Sequence, residues 1–199
     1  HNDVFRATPL LDDKLNVYLT SIAGRIYKWS SAGQLLWTFK AEGAIKGVSV
    51  LYKGTLFARA SGTVLALDME TGSLRWSSTI APTTGADCDS LFVHNETLIF
   101  GATLPTPILP GMEQSGNPAV VGVSARDGRL LWKFTTNSMV YNFQASIAVP
   151  FDGTIVFQDR AGGLYRLGAD DGRLIWRSGQ TDRSTFTTGA AVTDSGQVF

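Results

Sequence analysis

Few residues in this chain have the type and spacing needed for chemistry. Acidic side chains gather at Asp12-Asp13, at Asp152-Gly153 and at Asp170-Asp171-Gly172, and loop carboxylates are the donors that calcium prefers. None follows the D-x-[DN]-x-[DN]-G spacing that converges on one ion, and Asp before Gly is what a tight hairpin turn selects. They read as turns. Asp87-Cys88-Asp89 sets the sole cysteine between two acids, which raise a thiol's pKa and suppress the reactive thiolate. One Cys allows neither an internal disulfide nor a cysteine-based metal site. His94, beside Asn95 near an expected bend, has no partner in its frame and makes no catalytic set. Asn95-Glu96-Thr97 matches the N-glycosylation sequon, which matters only in a secretory chain. A Gly-rich phosphate loop, a His-Glu-x-x-His pair and a nucleophile elbow are all missing from the sequence.

Charge narrows the partners. Lys plus Arg and Asp plus Glu number 17 each, for zero formal charge and a pI near 6.9, unlike the concentrated basic face that nucleic acid requires. Arg126, Arg129, Lys133, Arg160, Arg166, Arg173, Arg177 and Arg183 crowd the C-terminal half and read as solvated turn and edge-strand charges. No apolar run approaches the roughly 18 residues of a membrane span.

The elements that would position any site are repeats. A glycine, three residues and a tryptophan recur as Gly33–Trp37, Gly72–Trp76, Gly128–Trp132 and Gly172–Trp176, taking four of the five Trp. Before each frame run short β-rich segments broken by Gly-bearing turns, the hairpin signature, and no stretch carries the 3.6-residue period of a helix. The spacing predicts four-stranded units over 7–39, 46–78, 87–135 and 142–178, with a fifth opening at 187–199. Trp-to-Trp intervals are 39, 56 and 44 residues, against about 40–45 for a propeller blade. The long interval exposes an insertion over 104–118. It holds four of the seven prolines, with Leu104, Ile108, Leu109 and Met112 among them. Prolines stiffen such a loop and lower the entropy lost on binding, so it is expected to meet a partner or ligand, to fold back on the propeller, or to be disordered. A lone four-stranded sheet leaves a face wet, so the units must stack. The expected fold is all-β: part of a propeller, with further blades expected beyond His1, beyond Phe199, or both.

The second unit, Ala66-Leu67-Asp68-Met69-Glu70-Thr71-Gly72-Ser73-Leu74-Arg75-Trp76, resembles the tryptophan-docking motif A-x-D-x-x-T-G-x-x-x-W of the pyrroloquinoline-quinone (PQQ) repeat family. The other units are degenerate: Lys28 and Ser30, Gly122 and Ser124, and Arg166 and Gly168 replace the Ala and Asp, while Asp127 and Asp171 stand in the Thr place. Gly and Trp persist throughout. The resemblance implies a ring of eight blades. The family includes quinoprotein alcohol and glucose dehydrogenases, and also cofactor-free BamB-type propellers.

A quinoprotein site implies a Trp stacked under the cofactor, calcium held by oxygen ligands, a catalytic Asp and, in alcohol dehydrogenases, adjacent cysteines. The chain has no Cys-Cys pair and no matching ligand set, so no catalytic or metal residue and no cofactor are expected in it, with PQQ and calcium as the alternative and any cofactor-binding residue left open. Trp29 alone lies outside the docking frame; it is a candidate cofactor platform, set against a core role suggested by its alignment with Leu67. The expected function is a non-catalytic scaffold for other protein subunits, with Leu104, Ile108, Leu109 and Met112 as contacts and an extracytoplasmic setting (periplasm, secretory pathway or organelle lumen) favoured. The alternatives are a fragment of a PQQ- and calcium-dependent alcohol or sugar dehydrogenase, and a ligand-sensing propeller of a signalling protein.

Overall fold

The computed structural model describes residues 3–80, 91–104, 117–136, 147–148, 152–159, 162–179 and 193. They form four sheets. The first holds β1 (Leu10–Leu11), β2 (Val17–Thr20), β3 (Arg25–Trp29) and β4 (Leu35–Lys40). The second holds β5 (Val50–Tyr52), β6 (Thr55–Ala60), β7 (Thr63–Asp68) and β8 (Leu74–Thr79). The third holds β9 (Phe92–His94), β10 (Thr97–Leu104), β11 (Asn117–Ser124) and β12 (Leu130–Thr135). The fourth holds β13 (Ile147–Ala148), β14 (Thr154–Gln158), β15 (Leu164–Gly168) and β16 (Leu174–Ser178). Each is a meander of antiparallel neighbours in chain order. Among the described residues there is no helix, hence none long and apolar enough to cross a membrane.

Strand periodicity explains the stacking. Successive side chains point to opposite faces, so in β7 Leu65 and Leu67 face a core shared with Tyr18 and Ile26 of the first sheet. Val64 and Ala66 turn the other way, into a core shared with Leu98, Phe100 and Val121 of the third. A further core joins Ile99, Val120 and Trp132 to Ile155, Phe157 and Tyr165 of the fourth. Middle strands covered on both faces have no polar side to show, which is why β6 is buried at every position. The fourth strand of each sheet faces solvent and alternates instead.

Two local features depart from the sequence expectations. The insertion is shorter at the backbone level, because β10 and β11 continue pairing through Thr103↔Pro118 and Leu104↔Asn117. Pro118 lacks an N–H but still offers its carbonyl, which accepts from the Thr136 N–H at 2.9 Å. Leu104 is therefore the last residue of a strand, partly buried against the second core. Ile108, Leu109 and Met112, and the fifth unit at 187–199 apart from Thr193, lie outside the described residues.

Candidate functional site

The docking frames build one junction three times. The Trp37 ring lies against Gly72, Trp76 against Gly128 and Trp132 against Gly172: a Cβ on these glycines would fall 2.6, 2.7 and 2.4 Å from the rings. Each Trp thus packs on the glycine of the following frame. Each indole also donates its Nε1–H to the carbonyl three residues before that glycine: Trp37 to Met69 at 3.1 Å, Trp76 to Ala125 at 3.3 Å and Trp132 to Ala169 at 3.1 Å. Buried area and a polar handle come from a single side chain. Gly33 and Trp176 share the frame, and no described atom lies within 4 Å of a Cβ on Gly33.

The turn that places each glycine survives loss of its consensus residues. In the second sheet the Asp68 carboxylate accepts the N–H groups of Glu70 and Thr71 and the Thr71 hydroxyl. In the first sheet Ser30 Oγ accepts the Gln34 N–H at 3.1 Å. In the third and fourth, Asp127 and Asp171 accept the N–H groups of Arg129 and Arg173. A bulge at one equivalent place, between Lys28 and Trp29, Ala66 and Leu67, Gly122 and Val123, and Arg166 and Leu167, adds local twist ahead of the turn.

This turn has a pH signature. The Arg75 guanidinium, 2.7 Å from Asp68, together with the Thr71 N–H and hydroxyl, holds the Asp68 carboxyl well below the usual carboxylate range. A depressed carboxylate contributes stability that is present above its unfolded pKa near 3.9 and lost as pH falls toward its folded value. Asp68→Asn is expected to melt lower than wild type at pH 7 and to fall less on acidification, so that melting curves taken at pH 7, 4 and 2 converge.

The other candidate residues occupy ordinary places. Asp12 accepts from the Lys14 and Asn16 N–H groups and the Tyr18 hydroxyl. Asp152 binds Thr154 and Arg166. Asn95 of the sequon donates to Asp170 at 3.2 Å, linking the third and fourth sheets. Trp29 stacks on Tyr27 at 4.9 Å and is only half-buried, whereas its equivalent Leu67 is fully covered. The core role expected from the alignment does not extend to Trp29, because its face of the first sheet is not the one the second sheet covers. Tyr27 takes one face of the Trp29 ring, and among the described residues no three His, Cys, Asp or Glu side chains gather on one point.

Several contact residues carry no motif. Lys28, almost fully buried, donates its ammonium to the Met69 carbonyl at 2.9 Å and meets Glu70 at 3.1 Å, tying the first sheet to the second. Buried Arg59 donates to the Gly101 carbonyl at 2.9 Å, with its guanidinium over the Phe100 ring. Between the second and third sheets a cleft of about 400 Å³ opens beside Trp76, walled by Tyr52 and Phe57. Lys53, Arg75, Glu96 and Arg126 supply its charges. Lys53 sits 2.8 Å from Glu96 and, with a smaller contribution from Arg126, holds that carboxyl below its ordinary range. Residue type gave no signal for this cleft. The signal available was position: Glu70, Arg126 and Asp170 all stand two residues before a frame glycine.

Comparison with known proteins places this geometry. The family model described as "Outer membrane protein assembly factor BamB" matches residues 4–107 and 115–198. The chain belongs to this PQQ-repeat family. The match skips 108–114, inside the insertion. Among solved structures, BamB from Moraxella catarrhalis superposes with a TM-score of 0.72 at 16% identity, over 98% of this chain and 58% of that one. Quinohemoprotein alcohol dehydrogenase from Comamonas testosteroni gives 0.74 at 14% identity, over 96% and 38%. At these identities the likeness is one of fold. Serine/threonine-protein kinase AfsK of Streptomyces coelicolor is 26% identical over 167 residues, covering 83% of this chain and 18% of that protein. The chain spans a little over half of the BamB structure and under a fifth of AfsK. It is a BamB-like, PQQ-repeat β-propeller in four-stranded blades.

Proposed function

We propose that this chain is a rigid, non-catalytic propeller segment that holds other protein subunits in an assembly, in an extracytoplasmic setting, a reading supported by the family's description as an outer membrane protein assembly factor. One observation carries the reading. Two and three residues after each frame glycine, β4, β8, β12 and β16 present Leu35 and Leu36, Leu74, Leu130 and Leu131, and Leu174 and Ile175, all between 40% and 52% exposed. Single exposed leucines are common, but apolar groups repeated in phase along an assembly are the mark of a contact surface. Only Arg75 breaks the series, and it is held by Thr55 and Asp68. Ile108, Leu109 and Met112 stay as proposed contacts, in a stretch where the family's shared pattern lapses. The test is size-exclusion chromatography with light scattering on the full-length protein isolated from its own cells. It should elute as a defined hetero-assembly. The double variant Leu131→Glu/Ile175→Glu should elute as a monomer with an unchanged Tm. A wild-type protein that elutes alone, or a variant that stays assembled, overturns the reading.

A second reading is a sensor propeller of a signalling protein, favoured by the likeness to AfsK. A kinase domain encoded in continuity with this chain would select it.

A further inference from the structure

We propose that the cleft between the second and third blades docks a carboxylate-bearing, extended peptide segment of a partner protein, anchored by Arg126. This names the partner chemistry at a second surface of the scaffold and rests on that reading. At the first junction Glu70 receives the Lys28 ammonium at 3.1 Å; at the third, Asp170 receives the Asn95 amide at 3.2 Å. Each of these contacts engages the acidic residue two places before the frame glycine; the second junction is crossed elsewhere, by Lys53 reaching Glu96 at 2.8 Å. At the second junction the equivalent residue is Arg126, opposite in sign, and the strand residue equivalent to Lys28 is Ala66. Ala66 pairs with Trp76 as Lys28 pairs with Trp37. Ala66 brings no charge to meet Arg126, and between Arg126 and the Lys53–Glu96 pair lies the cleft of about 400 Å³, within the range of roughly 300–1,000 Å³ typical of ligand sites.

The remaining charges narrow the ligand further. Lys53 already holds Glu96 and Arg75 already holds Asp68, whereas the Arg126 guanidinium acts on Glu96 and Asp127 only through its charge, with no hydrogen bond or ion pair to it among the described residues. A guanidinium fork matches a carboxylate with two parallel N–H donors. Next to it, the Phe57 and Trp76 rings, 5.8 Å apart, and the Tyr52 ring under Lys53 offer an apolar wall. Lys53 is 64% and Arg75 42% exposed, and charges so open to water hold a lone small anion weakly. A peptide that covers the rim and lays an apolar side chain on the aromatic wall removes that water, which is why the occupant is a segment of chain and not a free anion.

The probe is a capped pentapeptide of alternating glutamate and leucine, titrated into the full chain labelled with 15N at the indoles of its five Trp. The Trp76 indole signal should shift and saturate while the other four hold still. Arg126→Gln should weaken binding at least fivefold, and Arg126→Glu should abolish it. A glutamine-for-glutamate peptide, or acetate at equal carboxylate concentration, should leave the Trp76 signal in place. An unmoved Trp76 signal, undiminished binding to Arg126→Gln, or an equal shift with acetate overturns the proposal. Such a failure leaves the scaffold reading standing, because Leu131 and Ile175 report on a different surface.

Discussion

Trp132→Ala is expected to cost about 3–5 kcal/mol, the range for truncating a buried aromatic, and to lower Tm by on the order of 10 °C for a domain of this size. Trp132 is the best covered of the docking tryptophans, 8% exposed, and its ring is gripped from both sides. A Cβ on Gly122 of its own sheet would come within 2.2 Å of the ring, and one on Gly172 of the next within 2.4 Å. Removing the ring opens a void that neither backbone can fill without breaking its ladder. It also takes the indole donor from the buried Ala169 carbonyl, and a buried acceptor left unmet carries its own penalty. Thermal melting followed by near-ultraviolet circular dichroism reads the effect; a shift under 2 °C would refute the docking role.

The second large effect comes from the other half of the same contact. Gly172 has φ +66°, a left-handed conformation that costs an L-residue about 1–2 kcal/mol. Alanine there also drives a methyl into a ring that Gly122 prevents from retreating, and overpacking adds about 1–3 kcal/mol. Gly172→Ala is expected to cost roughly 2–5 kcal/mol in all. Gly33→Ala separates the two causes: φ is +79° but no described atom lies within 4 Å of the new methyl, so only the backbone cost of about 1–2 kcal/mol applies. Denaturant titration of both variants should give unequal losses; equal losses would mean that the ring contact is energetically idle.

The sequence made the junction legible because its parts are chemically singular. Only glycine takes that turn without strain, and Trp recurs elsewhere once, so Gly172 and Trp132 announce themselves. Degenerate turns were readable for the same reason, since Asp127, Asp171 and Ser30 are all short side chains able to accept backbone N–H groups. Trp29 was misleading: alignment with Leu67 gives its strand position but not whether a sheet covers that face. Leu104 was misplaced because a proline in a strand reads as a break, and only the ladder shows that Pro118 keeps a carbonyl partner. Lys28 and Arg126 were silent as types. Lys28 gains meaning from reaching Met69, 41 residues away, and Arg126 from lining a cleft at the position where its counterparts Glu70 and Asp170 meet Lys28 and Asn95.

The most direct test of the account is a double-mutant cycle on Trp132→Ala and Gly172→Ala, with stability measured by denaturant unfolding. If the blades are joined by Trp-on-Gly docking, the methyl at residue 172 has room once the ring is gone. Gly172→Ala then costs in the Trp132→Ala background only what Gly33→Ala costs in wild type, and the pair shows a coupling of about 1–3 kcal/mol. Losses that add to within about 0.5 kcal/mol would show the two residues acting independently and contradict the account.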